Sequence, residues 1–309
     1  MKRYCLYLFI LIGISCSAEL KAQKNGTVYK GNDPAVRYTG RTLVSPDGSV
    51  AFDWVGTYLE TCFTGGKLSV KVSETGTSYY NVFVDGKLHK VVKVCGTDTL
   101  IHLVSGIDKR IHSLKIQKRS EGEFGKTTVH QFVLSGSGRL AEEPAVRTRH
   151  IEFIGNSLTC GYGTDGKHRD EPFLVETENC NLTFASMVAR YYDADYTLIA
   201  HSGRGAARNY GDSVRVSKVT MKDRMLNTFD EDLTHKWNFK EYRPDLVVIN
   251  LGSNDFSTEP HPYKSEFTKA YKQILAQLRE HYGDIPILCI YPVAMQAPVS
   301  VSYTHLTLP

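Results

Sequence analysis

The sequence predicts two units in tandem: an all-β sandwich of jelly-roll type over residues 25–145, then an α/β unit with an open parallel sheet over residues 146–300. Two observations carry this reading. Up to residue 142 the apolar residues alternate in short runs separated by Gly, Asp and Ser, and no helical period survives for three turns. Beyond "AEEPAVRTRH" the pattern changes, and apolar runs at 149–154, 196–200, 246–251 and 286–292 alternate with helical segments. Strands joined through helices pair in parallel and are covered on both faces, so they read as continuous apolar runs.

The elements follow in order. Lys2 and Arg3 precede "YCLYLFILIGIS" and then "CSAELKAQ". A basic start, a short apolar stretch and a small residue at Ala22 describe a secretory signal over residues 1–22, cleaved after Ala22. Lipoprotein anchoring through Cys16 is the poorer alternative, because Gly13 stands where a branched apolar residue is expected. The mature protein is therefore expected to be secreted or periplasmic. "GSVAFDWVGTYLETCF", "GKLSVKVSET", "YYNVFVDGKLHKVVKV", "TDTLIHLVSG", "HSLKIQKRS" and "TVHQFVLSG" read as strands, with "VDGK" a hairpin turn and Trp54 part of the sandwich core. In the second unit "NLTFASMVARYY" and "YKSEFTKAYKQILAQLREHY" read as helices. Phe267, Tyr271, Ile274, Leu275, Leu278 and Tyr282 fall on one face of the latter.

Composition excludes several function classes. The chain has 309 residues, 41% hydrophobic and 23% charged, with a net charge of +4 and no basic tract, so a nucleic-acid partner is not expected. No run beyond the signal approaches the length of a membrane span. No Cys/His spacing resembles a zinc site, and neither metal nor cofactor is expected. Cys160 and Cys180 flank one loop, and export would permit a disulfide between them; buried free thiols are the alternative.

Ligands of open parallel sheets bind beyond the carboxyl ends of the strands. Three of the four predicted strands end in unusual chemistry: Gly155-Asn156-Ser157, Ser202-Gly203, and Gly252-Ser253-Asn254-Asp255. A hydroxyl, a glycine backbone and a carboxamide match what acyl transfer needs. Ester cleavage places negative charge on the carbonyl oxygen, where each fixed donor is worth roughly 3–4 kcal/mol. The Ser157 N–H, the Gly203 N–H and the Asn254 amide are the candidate oxyanion hole, with Ser157 Oγ as nucleophile. Tyr162 and His168, in the loop behind Ser157, are candidate substrate contacts.

In this order Ser157, Gly203 and Asn254 resemble the blocks of SGNH hydrolases. More narrowly, the chain resembles carbohydrate esterase family two, in which a β-sandwich precedes the SGNH domain. "RYTGR", "SYYNVFVDG", "GNSLTCGYGTDG", "TENCNLTFA", "SGRGAARNYGD" and "NLGSNDFS" carry the resemblance, from about residue 36 to 297. It implies a flavodoxin-type parallel sheet and a serine esterase that removes O-acetyl groups from plant-type polysaccharides or oligosaccharides, xylan- or mannan-like. A monomer is assumed. Asn156 stands where Asp is commoner in the family, and its expected role is that of a turn-shaping acceptor.

The resemblance also implies a catalytic histidine after the last strand, often in an Asp-x-x-His block. Only "PVAMQAPVSVSYTHLTLP" follows the fourth strand, so the unit is expected to be incomplete at its C-terminus, with 301–309, including His305, a non-native tail. Asp165-Gly-Lys-His168 and Asp232-Leu-Thr-His235 also match the block; the first is expected on the nucleophile's side of the sheet, with His168 read as a loop histidine in preference to a base, and the second near the opposite face. Gly211-Asp212-Ser213 repeats the nucleophile signature without a strand before it. His201 is expected to be a core histidine with satisfied hydrogen bonds. Two other functions stay open: a non-catalytic carbohydrate-binding protein, favoured by the missing base, and an SGNH esterase for lipid or peptidoglycan acyl groups.

Overall fold

The computed structural model describes residues 26–141, 146–168 and 170–291; the expected signal, Cys16, His305 and the expected tail lie outside them. Ten strands build the first sheet: β1 Gly26–Lys30, β2 Val36–Thr39, β3 Leu43–Val44, β4 Val50–Phe52, β5 Tyr58–Thr64, β6 Lys67–Val84, β7 Lys87–Val104, β8 Ile111–Lys118, β9 Thr127–Ser135 and β10 Arg139–Leu140. They pair in the order β10-β5-β8-β6-β9-β4-β3, with β1 joining β9, β2 joining β5 and β7 joining β6. Period-two burial packs Phe63, Leu68, Val70, Val82, Leu103, Leu114, Phe132 and Leu134 into one core.

Two pairs of expected strands are continuous here. "KLSVKVSET" and "YYNVFV" lie within the 18-residue β6, and the two runs after the hairpin fuse in β7. Register shifts around Glu74 absorb the turn-like residues between the runs, so the ladder bends instead of breaking. The expected hairpin at Asp85-Gly86 is formed, both residues having positive φ as a two-residue turn requires.

The second sheet is parallel, with β11 His150–Gly155, β12 Asp195–Ala200, β13 Leu246–Ile249 and β14 Ile287–Cys289 in the order β12-β11-β13-β14. That order is flavodoxin-like. Short helices α1 Ser157–Cys160, α2 Phe184–Tyr191 and α3 Met221–Arg224 precede the long α4 Lys264–Tyr282. The apolar stripe of α4 is fully buried and packs with Ile154, Ile199, Val247 and Ile249 on one sheet face.

The opposite face is covered partly by the β-rich half. Val55 and Tyr58 pack with Phe153, Tyr196 and Leu198, beside Ala185 and Ala189 of α2. Trp54, expected in the sandwich core, instead lies in the α4-side core of the parallel sheet, and its indole N–H donates to Asn227 O at 3.4 Å. The reason is local: the "DWVGT" segment leaves the antiparallel sheet between β4 and β5 and turns toward the second unit. Arg41 crosses in the same way, donating to Met225 O at 2.6 Å and Asn227 O at 2.8 Å while pairing with Glu152 of β11.

Candidate active site

β11, β12 and β13 run in parallel register, Ile154 lying between Ile199 and Ile249, so their carboxyl ends deliver Ser157, Gly203 and Asn254 to the same edge of the sheet. Ser157 opens α1 and is half-buried, and its hydroxyl has no hydrogen-bond partner among the described residues. Asn156 shapes the turn as expected: its Oδ1 caps α1 by accepting the Leu158 N–H at 3.3 Å. Its Nδ2 donates to Ser253 Oγ at 3.0 Å, tying the first strand end to the third. Gly155 must be glycine for packing, since a Cβ there would meet Thr159 Oγ1 at 2.0 Å.

Gly203 has φ +74°, and a Cβ would meet only Tyr210 Cβ at 3.9 Å. Conformation and not crowding selects glycine here, and the space before its backbone is open. Its carbonyl accepts the Tyr210 N–H at 2.8 Å. Asn254 is nearly buried and donates one amide hydrogen to Arg204 O at 2.8 Å, which orients the amide and leaves its second hydrogen uncommitted.

Two positioning carboxylates were not singled out in the sequence. Asp255 is fully buried and accepts the N–H groups of Ala206, Ala207 and Arg208 at 3.0, 2.6 and 2.9 Å, so the third strand end holds the loop of the second. Burial pushes its carboxyl up, and those donors pull it back. Its place directly after Asn254 was the available signal. Glu121, from the β-rich half, bonds the Ser202 N–H at 2.6 Å; nothing local in "KRSEGEFG" marks it.

Tyr162 is 47% exposed, and its ring stacks on Phe173 with centroids 3.6 Å apart. Phe173 in turn stacks on Phe124, at 5.7 Å, so an aromatic row spans the two halves at the rim. His168 is exposed in the following loop. Asp165 does not pair with it; that carboxylate pairs with Arg119 and accepts from Asn179 Nδ2.

The expected Cys160–Cys180 disulfide is not formed, and both residues are buried free thiols. Their sulfurs face different ways: Cys160 toward Glu121 Oε2 and Cys180 toward Lys118 O, each at 3.4 Å. Asp232 and His235 do pair, at 2.6 Å, in an exposed loop. The segment carrying them reaches the same end of the sheet as Ser157, because Asp230 bonds His201 just beyond β12. It doubles back through an Asn227–Lys236 bridge, which places it away from the opposite face expected for it.

His201 is buried with Nδ1 2.7 Å from Asp230. Burial disfavours its charged form, yet Asp230, Glu123 and Glu121 outweigh it and push the imidazole up to about 10. With Nδ1 committed to Asp230 and the surrounding carboxylates favouring the charged ring, His201 is poorly suited to accept the proton of a nucleophile. His201, Asp230 and Glu231 lie close enough to share a metal ion, as do Glu121, Cys160 and Glu178. In the first group Arg224 already pairs with both carboxylates, and the imidazolium supplies the remaining positive charge.

Comparison with known proteins follows the two halves. Residues 38–144 match the family described as carbohydrate esterase 2 N-terminal, and residues 153–306 match the GDSL-like lipase/acylhydrolase family. The chain is 34% identical over 258 residues to the cellulase/esterase CelE of Acetivibrio thermocellus, covering 84% of this chain and 31% of that protein. It is 33% identical over 226 residues to an acetylxylan esterase / glucomannan deacetylase of Cellvibrio japonicus, covering 71% of this chain and 61% of that protein. The chain thus spans less than two thirds of the length of either relative. Among solved structures it is similar to a family two carbohydrate esterase from Clostridium thermocellum in complex with cellohexaose. The TM-score there is 0.82 at 33% identity, covering 88% of this chain and 82% of that one.

Proposed function

The chain belongs to carbohydrate esterase family two, and from that premise we propose that it is an exported serine esterase removing O-acetyl groups from xylan- or mannan-like polysaccharides. The observation that carries this reading is the convergence of Ser157, Gly203 and Asn254 at the carboxyl ends of three adjacent parallel strands. In the proposed reaction Ser157 Oγ attacks the acetyl carbon and passes its proton to a base. The carbonyl oxygen gains charge against the N–H groups of Ser157 and Gly203 and the free amide hydrogen of Asn254. The ester C–O bond breaks, the sugar hydroxyl leaves with the proton, and water then releases acetate from the acyl-serine.

The base in this reading is a histidine outside the described residues, as the family resemblance implies. Tyr162, and less directly His168, are proposed to contact the glycan. Relatives named as acetylxylan esterase / glucomannan deacetylase support acetylated plant polysaccharide as the substrate class. Among the described residues no helix is long and apolar enough to cross a membrane. The test is hydrolysis of acetylated xylan and glucomannan by wild-type protein and Ser157→Ala, with acetate release measured. Binding of the glycans without acetate release by the wild type would favour a carbohydrate-binding role.

A further inference from the structure

Glu121 lies directly before a short 3₁₀ helix, Gly122–Phe124, and its side chain is fully buried. A single carboxylate oxygen, Oε2, accepts both the Ser202 N–H at 2.6 Å and the Cys160 Sγ–H at 3.4 Å. Ser202 immediately precedes Gly203. Cys160 lies three residues beyond Ser157, one turn along the same helix. One atom from the β-rich half therefore touches both segments that carry the proposed N–H donors.

The need for such an acceptor follows from the ladder. Pairing of β11 with β12 ends at Gly155 and Ala200, so the Ser202 N–H lies beyond the sheet and finds no strand partner. The Glu121 side chain supplies that acceptor at 2.6 Å, and without it the buried donor would be left unpaired. The Ser202–Gly203 peptide, which carries the Gly203 N–H, is then held on both sides: by Glu121 before it and by the Tyr210 N–H on the Gly203 carbonyl after it. Gly203 itself supplies no rigidity, having no side chain, so its direction must be imposed by these neighbours.

Glu121 is in turn fixed from its own side. Its N–H donates to Glu178 Oε2 at 2.9 Å, and its carbonyl accepts from Lys118 Nζ at 3.3 Å. Among the described residues the Glu121 Oε1 has no hydrogen-bond partner, so the contacts of this carboxyl run through Oε2.

We propose that Glu121 is a positioning residue supplied by the β-rich half, which sets the Ser202–Gly203 turn against the Ser157 helix so that their N–H groups converge. The inference rests on the proposed roles of Ser157 and Gly203. It also gives the β-rich half a part in turnover separate from any glycan binding.

The experiment compares Glu121→Ala, Glu121→Gln and Ser157→Ala in the full-length protein. The readouts are kcat and KM on p-nitrophenyl acetate, the labelling rate with a fluorophosphonate, and the ¹⁵N–¹H shifts of Ser202 and Gly203. Glu121→Ala should lower kcat and the labelling rate by about 10–100-fold with KM changed less than about 3-fold. Glu121→Gln, which keeps an acceptor oxygen, should recover most of that loss while moving both amide shifts upfield. A folded Glu121→Ala with wild-type kcat overturns the inference. If that variant does not fold, unchanged Ser202 and Gly203 shifts in Glu121→Gln overturn it instead. Ser157→Ala keeps the two ideas apart. Loss of labelling there with normal labelling in both Glu121 variants removes only the positioning role. Retained hydrolysis in Ser157→Ala removes the nucleophile and the inference together.

Discussion

Arg41 and Glu152 form an ion pair across the two halves at 3.5 Å, with side chains 1% and 0% exposed. The Tyr282 hydroxyl also donates to the same carboxylate, at 3.0 Å. Removing one partner of a buried pair strands the other charge, so Glu152→Gln should destabilise the fold by about 3–5 kcal/mol. Arg41→Met combined with Glu152→Gln should cost less than the sum of the two single changes. Urea unfolding of the three variants checks both statements.

Ser157→Ala should abolish acetyl-ester hydrolysis, lowering kcat by on the order of 10⁴–10⁶, without changing the unfolding midpoint. The half-buried hydroxyl has no hydrogen-bond partner among the described residues, so its loss strands no donor or acceptor. Activity above a few per cent of wild type would assign the nucleophile elsewhere.

Asn254→Ala should reduce kcat by about 10²–10³ through loss of one oxyanion donor. It also frees Arg204 O, so a modest drop in thermal midpoint should accompany the kinetic effect. If KM rises and kcat stays level, the amide binds ground state instead of transition state.

Stability should fall as pH rises above neutrality. His201 is held up to about 10 in the fold against an ordinary value of 6.5, so the unfolded chain loses that proton first. Its contribution is complete below about 6.5 and disappears as pH passes through about 10. Glu178 acts in the same direction: burial, and then the Glu121 charge, push its carboxyl from 4.5 to about 10. The native state thus retains a proton that the unfolded chain gives up, and stability falls across that window. Unfolding free energies at pH 6, 8 and 9.5 should decline for wild type and decline less for His201→Gln and for Glu178→Gln.

Cys160 and Cys180 should resist thiol reagents in the native protein. Burial, reinforced by the neighbouring Glu178 charge, pushes the Cys180 thiol up to about 12; burial and Glu121 push Cys160 up as well. Cys95 is exposed and should react at once. Alkylation followed by peptide mass spectrometry should find Cys160 and Cys180 modified only after denaturant is added.

Much of this was legible in the sequence because it is local. The stripe on α4, the Asp85-Gly86 hairpin and the four parallel strands each declare themselves within a window of twenty residues. Ser157, Gly203 and Asn254 were readable because each ends an apolar run. What escaped is long-range. Nothing near Trp54 says that its ring serves the other core, and nothing near Glu121 says that its oxygen reaches Ser202, 81 residues away. The disulfide was an inference from spacing along the chain, and side-chain direction decides that question: the two sulfurs point to different acceptors.

The crossing of Trp54 and Arg41 has a consequence for how the chain is made. Synthesis delivers the β-rich half first, yet Trp54 must wait 173 residues for Asn227 and Arg41 must wait 184 for Met225. Until then an indole and a guanidinium that end up buried lack the partners that bury them. Contacts of such long separation are closed late and slowly. The first half therefore cannot finish on its own as it emerges. For the interval between residue 54 and residue 227 the growing chain lacks the Asn227 carbonyl that receives the Trp54 indole.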